Sequence, residues 1–399
     1  MPGQSEQQSE QRSERQLEQQ SQSLMGSLSG LSSPSSSLRA SSSGLSWAQA
    51  SRYVVWPGYG SWREAFWGCH PPRGEALIDT QRVEEVLVED KVYITRGQKD
   101  RRRYLLKSIT PENDIDWRNL FMEVRHLREL SGTPGFTPYS GHAPLVHPSD
   151  ASAAAANIST VILLQELVPG MSLRDFLLLH VTPGGPDQVN LSEWTRRLLR
   201  TVLLALKECH DRGICHRDVK SENIMLAAPP DPESARVIDF GFSSIIDYPV
   251  HPWADQCLGT AAFLAPELLT GPGSADPAVD LYAVGILLFE CLHVHHLTPY
   301  EHPQDAELQC QAQRASERAD IDKEVDEAIY QRIIRRQPQT RAAGLVSLAW
   351  ADDLFRKLTC DDPAQRLSAA QALDHPFCRP PRITKPPRVV TIDDLHDYL

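Results

Sequence analysis

The chain has 399 residues, 41% of them hydrophobic, which is enough for one large domain or two ordinary ones with buried cores. Its formal net charge of −12 argues against nucleic-acid binding, because such a surface needs a basic patch to neutralise phosphates. The sequence shows neither a secretory signal nor the run of about 18 apolar residues that a membrane span needs. With eight cysteines and no C-x-x-C pair, we expect reduced thiols and a cytoplasmic or nuclear location.

Composition divides the chain into four parts. Residues 1–46 are rich in Gln, Ser and Glu with almost no aromatic residues, so we predict a disordered tail. Residues 47–79 are rich in Trp and Pro, and this aromatic content predicts packing on the folded domain or on a regulatory partner. Residues 80–378 are predicted to form the main folded domain, and residues 379–399 form a C-terminal tail that is at first Pro-rich.

The first half of the folded domain is predicted to be mainly β-structure. Apolar and β-branched runs predict four strands, the last of which runs into the turn signal Pro169-Gly170. Between the third and fourth strands, helical spacing of Leu120, Leu127 and Leu130 predicts a helix, and the stretch after it is predicted to be a loop. The predicted strands are 83–87, 92–95, 104–109 and 161–167, the helix is 116–130 and the loop is 131–158.

The second half is predicted to be mainly helical. Ser192 is a plausible N-cap for a helix that runs to about residue 212 and is closed by Gly213. A strongly apolar run at 278–292 predicts a buried helix, and polar helical patterns follow at 303–336, with at least two more helices at 345–375. Strands first and helices second indicate an α+β fold in which a small sheet lobe joins a larger helical lobe.

Two polar runs carry the chemistry. Asp218, Lys220 and Asn223 lie within six residues of one another, and Asp239-Phe240-Gly241 follows a short apolar strand. Phosphoryl transfer needs a group that orients the attacking hydroxyl, cations that neutralise phosphate, and oxygen ligands for Mg²⁺. A carboxylate, a lysine and two hard oxygen donors satisfy those needs. A single His-Arg-Asp triplet is a weak signal, but the two runs together are much stronger.

The joint pattern resembles the H-R-D-x-K-x-x-x-N and D-F-G motifs of the eukaryotic-type protein kinase family, over about residues 80–378. The resemblance implies a two-lobed protein kinase fold, with a small antiparallel β-sheet lobe carrying one helix (about 80–167) and a large mainly helical lobe (about 168–378). It implies that Asp218 orients the substrate hydroxyl, Lys220 steadies the transferred phosphate, and Asn223 and Asp239 hold Mg²⁺. Lys220 together with Thr260 resembles the serine/threonine subgroup.

Further matches follow in the family's order. Asp280 resembles the helix aspartate that holds the backbone of the catalytic loop. Ala265-Pro266-Glu267 resembles the end of an activation segment, and Arg366 resembles the salt-bridge partner of Glu267. We therefore expect both pairs to be close in the fold.

The same resemblance implies an ATP site between the lobes. Lys107 matches the strand lysine that holds the α- and β-phosphates, and Glu123 is its expected helix partner. Gln165 is expected at the back of the pocket. The other residues assigned to the nucleotide are Val92, Glu166, Val168 and Met225.

One family feature is missing. Counting back from Lys107 places Glu85, Leu87 and Asp90 where the family has three glycines, whose backbone N–H groups approach the phosphates. Leu105 stands where the family has a small alanine. Two interpretations follow, an active serine/threonine kinase with a degenerate phosphate loop and a pseudokinase that binds nucleotide or partners without transferring phosphate.

Substrate preference and control are open at this level. Glu222 and Glu290 match positions at which some family members bind a substrate arginine, which favours basic sequence contexts in protein substrates. Arg217 matches the arginine that grips an activation-segment phosphate, but the usual acceptor position holds Gln256. Asp255 is a candidate fixed anion, so we hypothesise activity without activation-segment phosphorylation. Alternative acceptors are Ser243, Ser244 and Tyr248. We expect a monomer, with regulatory partners reached through the N-terminal extension.

Overall fold

The computed structural model describes residues 61–70, 81–89, 91–144, 160–180, 191–246, 260–270, 276–293, 298–300 and 349–379, together with 325, 328, 329, 332 and 333. The predicted disordered tail, most of the predicted helix at 303–336 and the chain from residue 380 onwards lie outside the described residues.

The first lobe is built on a five-stranded antiparallel sheet with the strand order β1-β2-β3-β5-β4. Four of its strands are the predicted ones, with ends that differ by up to two residues. The fifth, β4, lies inside the stretch that was predicted to be a loop. That prediction was wrong because β4 buries Gly141, His142 and Ala143, none of which gives the β-branched or aromatic signal of a strand. The strands are β1 Gln81–Val88, β2 Val92–Gly97, β3 Arg103–Ile109, β4 Tyr139–Pro144 and β5 Val161–Glu166.

Among the described residues, two helices precede the second lobe. Helix α1, Trp62–Cys69, belongs to the Trp- and Pro-rich stretch, and helix α2, Asp114–Leu130, follows β3. Helix α2 begins two residues before the predicted start because Asn113 caps it. The Asn113 side chain accepts hydrogen bonds from the backbone N–H groups of Ile115 and Asp116, at 2.8 and 3.0 Å.

The second lobe is mainly helical, as predicted. Helix α4 ends two residues before Gly213, whose φ of 72° is a left-handed conformation that closes a helix. Helix α6 has the predicted bounds and is buried from Val279 to Cys291, so it shows no polar face. The helices whose bounds are described include α3 Leu173–His180, α4 Leu191–Asp211, α5 Pro266–Thr270, α6 Ala278–Leu292, α7 Ala349–Leu358 and α8 Ala369–Leu373.

Short strand pairs position the loops between the lobes. One small sheet has the order β6-β8-β9, and a separate pair joins β7 to β10. Their strands are β6 Gly170–Ser172, β7 Ile214–Cys215, β8 Ile224–Ala227, β9 Arg236–Val237 and β10 Ser244–Ile245. The polar run from Asp218 to Asn223 lies between β7 and β8, and Asp239 follows β9, so both runs reach the same cleft. Within the described ranges, no helix combines the length and apolarity needed to cross a membrane.

Candidate active site

The loop that carries Asp218 is anchored on the buried helix α6. The side chain of Asp280 is fully buried and accepts hydrogen bonds from the backbone N–H groups of His216 (2.9 Å) and Arg217 (2.7 Å). The ring of His210 also contacts it, at 2.9 Å. Burial alone would raise the pKa of Asp280, but the His210 ring and the Arg217 N–H group outweigh it, and the pKa is lowered. Arg217 is held at a φ of 69°, a strained conformation that these bonds stabilise. The predicted role of Asp280 in holding this backbone is confirmed.

Asp218 is nearly buried, and donors surround both of its oxygens. Oδ2 accepts from the Asn223 amide nitrogen at 2.8 Å and lies 3.0 Å from the Lys220 ammonium group. Oδ1 accepts from the Thr260 backbone N–H at 3.1 Å. Lys220 also donates to the Thr260 hydroxyl at 2.7 Å. The carboxylate is therefore fixed in orientation, and the pairing of Lys220 with Thr260 was not predictable from their separation in sequence.

A second charged group joins the two lobes. The Lys107 ammonium nitrogen lies 3.2 Å from Glu123 Oε1 on α2 and 3.5 Å from Asp239 Oδ1. Asp239 adopts a φ of 66°, and its Oδ1 accepts from the Gly241 N–H at 3.2 Å. The predicted partnership of Lys107 with Glu123 is thus present, and Asp239 completes it from the other lobe.

Burial and charge act in opposite directions on this group. Burial would lower the pKa of Lys107, but the carboxylates of Asp239 and Glu123 more than offset it, so the pKa is raised. Burial would raise the pKa of Asp239, yet Lys107 and the Gly241 N–H group hold it below its usual value. The same balance holds for Lys220. Burial would lower its pKa, but the nearby Asp218 and Glu222 carboxylates outweigh burial and raise it. Both lysines therefore stay charged, as phosphate binding requires.

The residues assigned to the nucleotide-binding pocket lie on the five-stranded sheet and in the chain that follows it. Val92 is directly opposite Lys107 in the β2–β3 ladder, and Leu105 shares the Lys107 face of β3 because it lies two residues away. Gln165 is 4% exposed and opposite Leu105, consistent with a position at the back of a pocket. Glu166 ends β5, and its carboxylate accepts from Arg102 at 2.6 Å. The two remaining assigned positions, Val168 after β5 and Met225 on β8, are half-buried.

The model of the protein kinase domain family matches residues 90–378, which is well over half of the chain. The chain belongs to the protein kinase family. Among curated proteins, it is 27% identical to the human calcium/calmodulin-dependent protein kinase type IV over 312 residues, 76% of this chain and 55% of that protein. It is 31% identical over 185 residues to the calcium/calmodulin-dependent protein kinase cmkB of Emericella nidulans, 46% of this chain and 40% of that one.

A third relative is bacterial. The serine/threonine-protein kinase PknL of Mycobacterium tuberculosis is 38% identical over 138 residues, 35% of this chain and 31% of that protein. The chain therefore spans about half or less of the length of these three relatives. The recognition of the eukaryotic-type protein kinase family, and of its two-lobed α+β fold, is confirmed.

The kinase departs from its family at the phosphate loop. Strand β1 runs through two of the three expected glycine positions, Glu85 and Leu87, while Asp90 lies outside the described residues. The β1–β2 ladder is irregular here, with register shifts between Val83 and Glu85 and between Val86 and Val88. The neighbouring Glu84, not Glu85, pairs with Arg96 and Arg103 on the next two strands.

The kinase holds the end of its activation segment by an ion pair in which the arginine is buried. The Arg366 guanidinium donates twice to the Glu267 carboxylate, once at 2.7 Å, and packs on the Tyr282 ring at 5.0 Å. The predicted pair is confirmed. Ser243 and Ser244 are 3% and 0% exposed, so this conformation does not offer them as phosphate acceptors. Asp255, Gln256 and Tyr248 are outside the described ranges.

The two acidic residues assigned to a substrate arginine, Glu290 and Glu222, differ in exposure and in the partners they already have. Glu290 is 1% exposed and accepts from Arg174 at 2.6 Å and from Ser221 at 2.9 Å. Glu222 is half-buried, and its carboxylate lies 3.2 Å from the Ser221 hydroxyl oxygen. Glu222 is therefore the more accessible of the two carboxylates, and Arg174 already neutralises Glu290.

Sequence reasoning missed a contact between α2 and the segment after Asp239. His126, fully buried on α2, lies 2.7 Å from the Ser243 hydroxyl, and Ser243 donates its one proton to the Phe240 carbonyl at 2.6 Å. The His126 Nδ1 atom must then carry a proton and donate. A histidine three residues after Glu123 shares part of the helix surface with it, but no pattern in the sequence signals a serine 117 residues away.

This histidine should make stability depend on pH. Burial, with Arg125 and His216 nearby, lowers the pKa of His126 from the usual 6.5 to about 3. The unfolded chain binds a proton below pH 6.5 that the folded chain refuses until about pH 3, so stability falls as pH falls. From pH 7 to pH 5 we expect His126 to cost about 2 kcal/mol. Denaturant unfolding should show that His126→Asn, which keeps a donor, loses less free energy on acidification. Equal losses in both proteins would contradict this.

Proposed function

We propose that this chain is an active serine/threonine protein kinase that transfers the γ-phosphate of ATP to hydroxyls of protein substrates. The observation that carries the proposal is the cleft itself, in which Lys107 lies between Glu123 and Asp239 and the carboxylate of Asp218 is held by three donors. These phosphate-binding, metal-binding and proton-accepting groups come from both lobes. A chain that only binds partners has no need of the complete set.

The donor chemistry fits Mg²⁺. Asp239 offers a carboxylate with a lowered pKa, and Asn223 uses its amide nitrogen to bind Asp218, which leaves the amide oxygen as the atom for a metal. When bound there, Mg²⁺ neutralises charge on the phosphates. Asn223 directly precedes β8 and Asp239 follows β9, and the Ile238 N–H group donates to the Asn223 carbonyl at 3.0 Å. The two residues therefore lie at the same end of the antiparallel β8–β9 pair.

The other groups orient the reactants. Asp218 accepts the proton of the attacking hydroxyl, since Asn223 and Thr260 fix the orientation of its carboxylate. Lys220 lies beside it at 3.0 Å and places positive charge where the transferred phosphoryl group passes. Lys107, steadied by Glu123, supplies charge to the α- and β-phosphates.

The altered phosphate loop weakens ATP binding in this proposal but does not abolish it. The missing glycines remove backbone N–H contacts, and Glu85 places negative charge on β1. Lys107, Lys220 and the metal ligands act from other elements and do not depend on that loop. Binding of MgATP without transfer of phosphate to any peptide would instead support the pseudokinase alternative.

Basic sequence contexts are proposed for the substrate. Glu222 lies one residue before Asn223 and four after Asp218, so a substrate arginine held there stays close to the reacting hydroxyl. Glu290 joins this site only if Arg174 gives up its contact.

Peptide phosphorylation tests the proposal. We expect transfer of labelled phosphate from ATP with Mg²⁺ to a serine peptide with a nearby arginine, slower transfer when that arginine is replaced by alanine, and very little to the matched tyrosine peptide. The variant Glu222→Gln should reduce the preference for arginine without reducing the rate on the neutral peptide. Transfer to no peptide, or equal transfer to serine and tyrosine, would overturn the proposal.

A further inference from the structure

Helix α1 lies outside the stretch that matches the kinase family model, yet it packs into the small lobe. The matched residues begin at 90, whereas α1 is Trp62–Cys69. Its residues Ala65 and Phe66 are fully buried, and His70, which follows the helix, is 5% exposed. The helix is therefore part of the packed core of this lobe.

The contacts of α1 concentrate on one side of α2. The Phe66 ring lies 5.5 Å from that of Trp117, and the His70 ring lies 4.8 Å from that of Phe121. At the other end of α2, Arg128 donates to His70 Nδ1 at 3.0 Å. Trp117, Phe121 and Arg128 are spaced by four and seven residues, so they occupy one face of the helix.

Glu123 points to a different face. It lies about 140° around the helix from the face that meets α1, on the side of Leu120 and Leu127, which are 2% and 1% exposed. Helix α2 thus faces Lys107 of strand β3 on one side and packs against α1 on another. A helix covered only by a sheet would bury a single stripe, but here ten of seventeen residues are buried.

A third contact fixes α1 to the sheet. His142 on the edge strand β4 is 3% exposed, and its Nε2–H donates to the backbone carbonyl of His70 at 2.9 Å. The end of α1 is therefore held by α2 through Arg128 and by the sheet through His142. Displacing α2 from the sheet would break these contacts and expose Phe66.

We propose that α1 is a built-in positioning element that holds α2 in the orientation where Glu123 meets Lys107. Transfer and nucleotide binding need that pair in place, and a helix such as α2 has an alternative position displaced from the sheet. The buried contacts of α1 favour the paired position. This inference rests on the proposed kinase function for its effect on turnover, but its effect on nucleotide affinity is independent of transfer.

A double-mutant cycle in the full chain tests this, with the MgATP dissociation constant as readout. Phe66→Ala should weaken MgATP binding about tenfold, as expected if the paired state falls to about a tenth of the population. In the Glu123→Gln background the same change should cost less than about twofold, because the pair it acts on is already lost. Phe66→Leu should restore most of the affinity. Glu64→Gln on the exposed side of α1 is the matched control and should bind like the native chain.

The outcomes separate the two proposals. If Phe66→Ala leaves affinity unchanged, or lowers it equally with and without the Glu123 carboxylate, α1 has no positioning role. If the cycle behaves as expected but the native chain transfers no phosphate, the proposed function fails and the positioning role stands. If the Phe66→Ala protein does not fold, Arg128→Gln is the alternative variant. Arg128 is exposed, so this substitution removes only its contact with His70. A roughly two- to threefold loss of MgATP affinity in the chain that keeps Glu123, with no such loss in the Glu123→Gln background, supports the role. No loss of affinity in either chain overturns it.

Discussion

Replacing Asp218 with asparagine should slow phosphate transfer by about 10²–10⁴-fold, the usual contribution of a positioned general base. Both carboxylate oxygens accept hydrogen bonds, Oδ2 from Asn223 and Oδ1 from Thr260, so an amide at this position would also turn an NH₂ group toward a donor. The loss should therefore appear in the rate constant of transfer. MgATP affinity should stay close to the native value, because Lys107 and Asp239 are separate from this carboxylate.

Single-turnover transfer to a serine peptide measures this effect. Asp231→Asn is a suitable control, since Asp231 lies outside the cleft and pairs with Arg197 at 3.2 Å. It should leave the rate unchanged. An Asp218→Asn protein that transfers phosphate at the native rate would remove Asp218 from the mechanism.

Replacing Asp239 with alanine should remove the magnesium dependence of ATP binding and reduce transfer by about 10²-fold or more, since a metal ion contributes several kcal/mol of charge stabilisation. The fold should persist, because Lys107 keeps its contact with Glu123 at 3.2 Å. The variant also removes one of two carboxylates that raise the pKa of Lys107, which stays charged through the other.

Titration of ATP with and without Mg²⁺ measures the second effect. The native chain should bind ATP more tightly with Mg²⁺, and the Asp239→Ala protein should show the same affinity in both conditions. Asp231→Asn again serves as the control. Retention of a full magnesium effect in Asp239→Ala would show that the metal is held by other groups.

Much of this architecture could be predicted because its signals are local. The run around Asp218 and the triplet at Asp239 are defined by spacing within a few residues, and the apolar run of α6 has only one reasonable secondary structure. Two contacts between distant parts, Asp280 with the Arg217 backbone and Arg366 with Glu267, were predicted through the family resemblance and are present.

Other features have no local signal. The buried residues of strand β4 are Gly141, His142 and Ala143, so its pairing with β5 rests on the sheet rather than on its own propensity. The pairing of Arg174 with Glu290 spans 116 residues and depends on tertiary geometry alone. For α1, a signal did exist. Trp117 and Phe121 lie off the apolar stripe of α2 that meets the sheet, which indicates a second covering element.

The central question is whether this cleft transfers phosphate despite its altered phosphate loop. The most direct measurement is transfer of labelled γ-phosphate by the purified full chain, beside Asp218→Asn and with thermal stability followed as MgATP is added. We expect stabilisation of both proteins by MgATP and rapid transfer to a serine peptide by the native chain alone. Native protein that transfers no phosphate would contradict the proposed activity, and a further lack of stabilisation by MgATP would contradict the assignment of the nucleotide site.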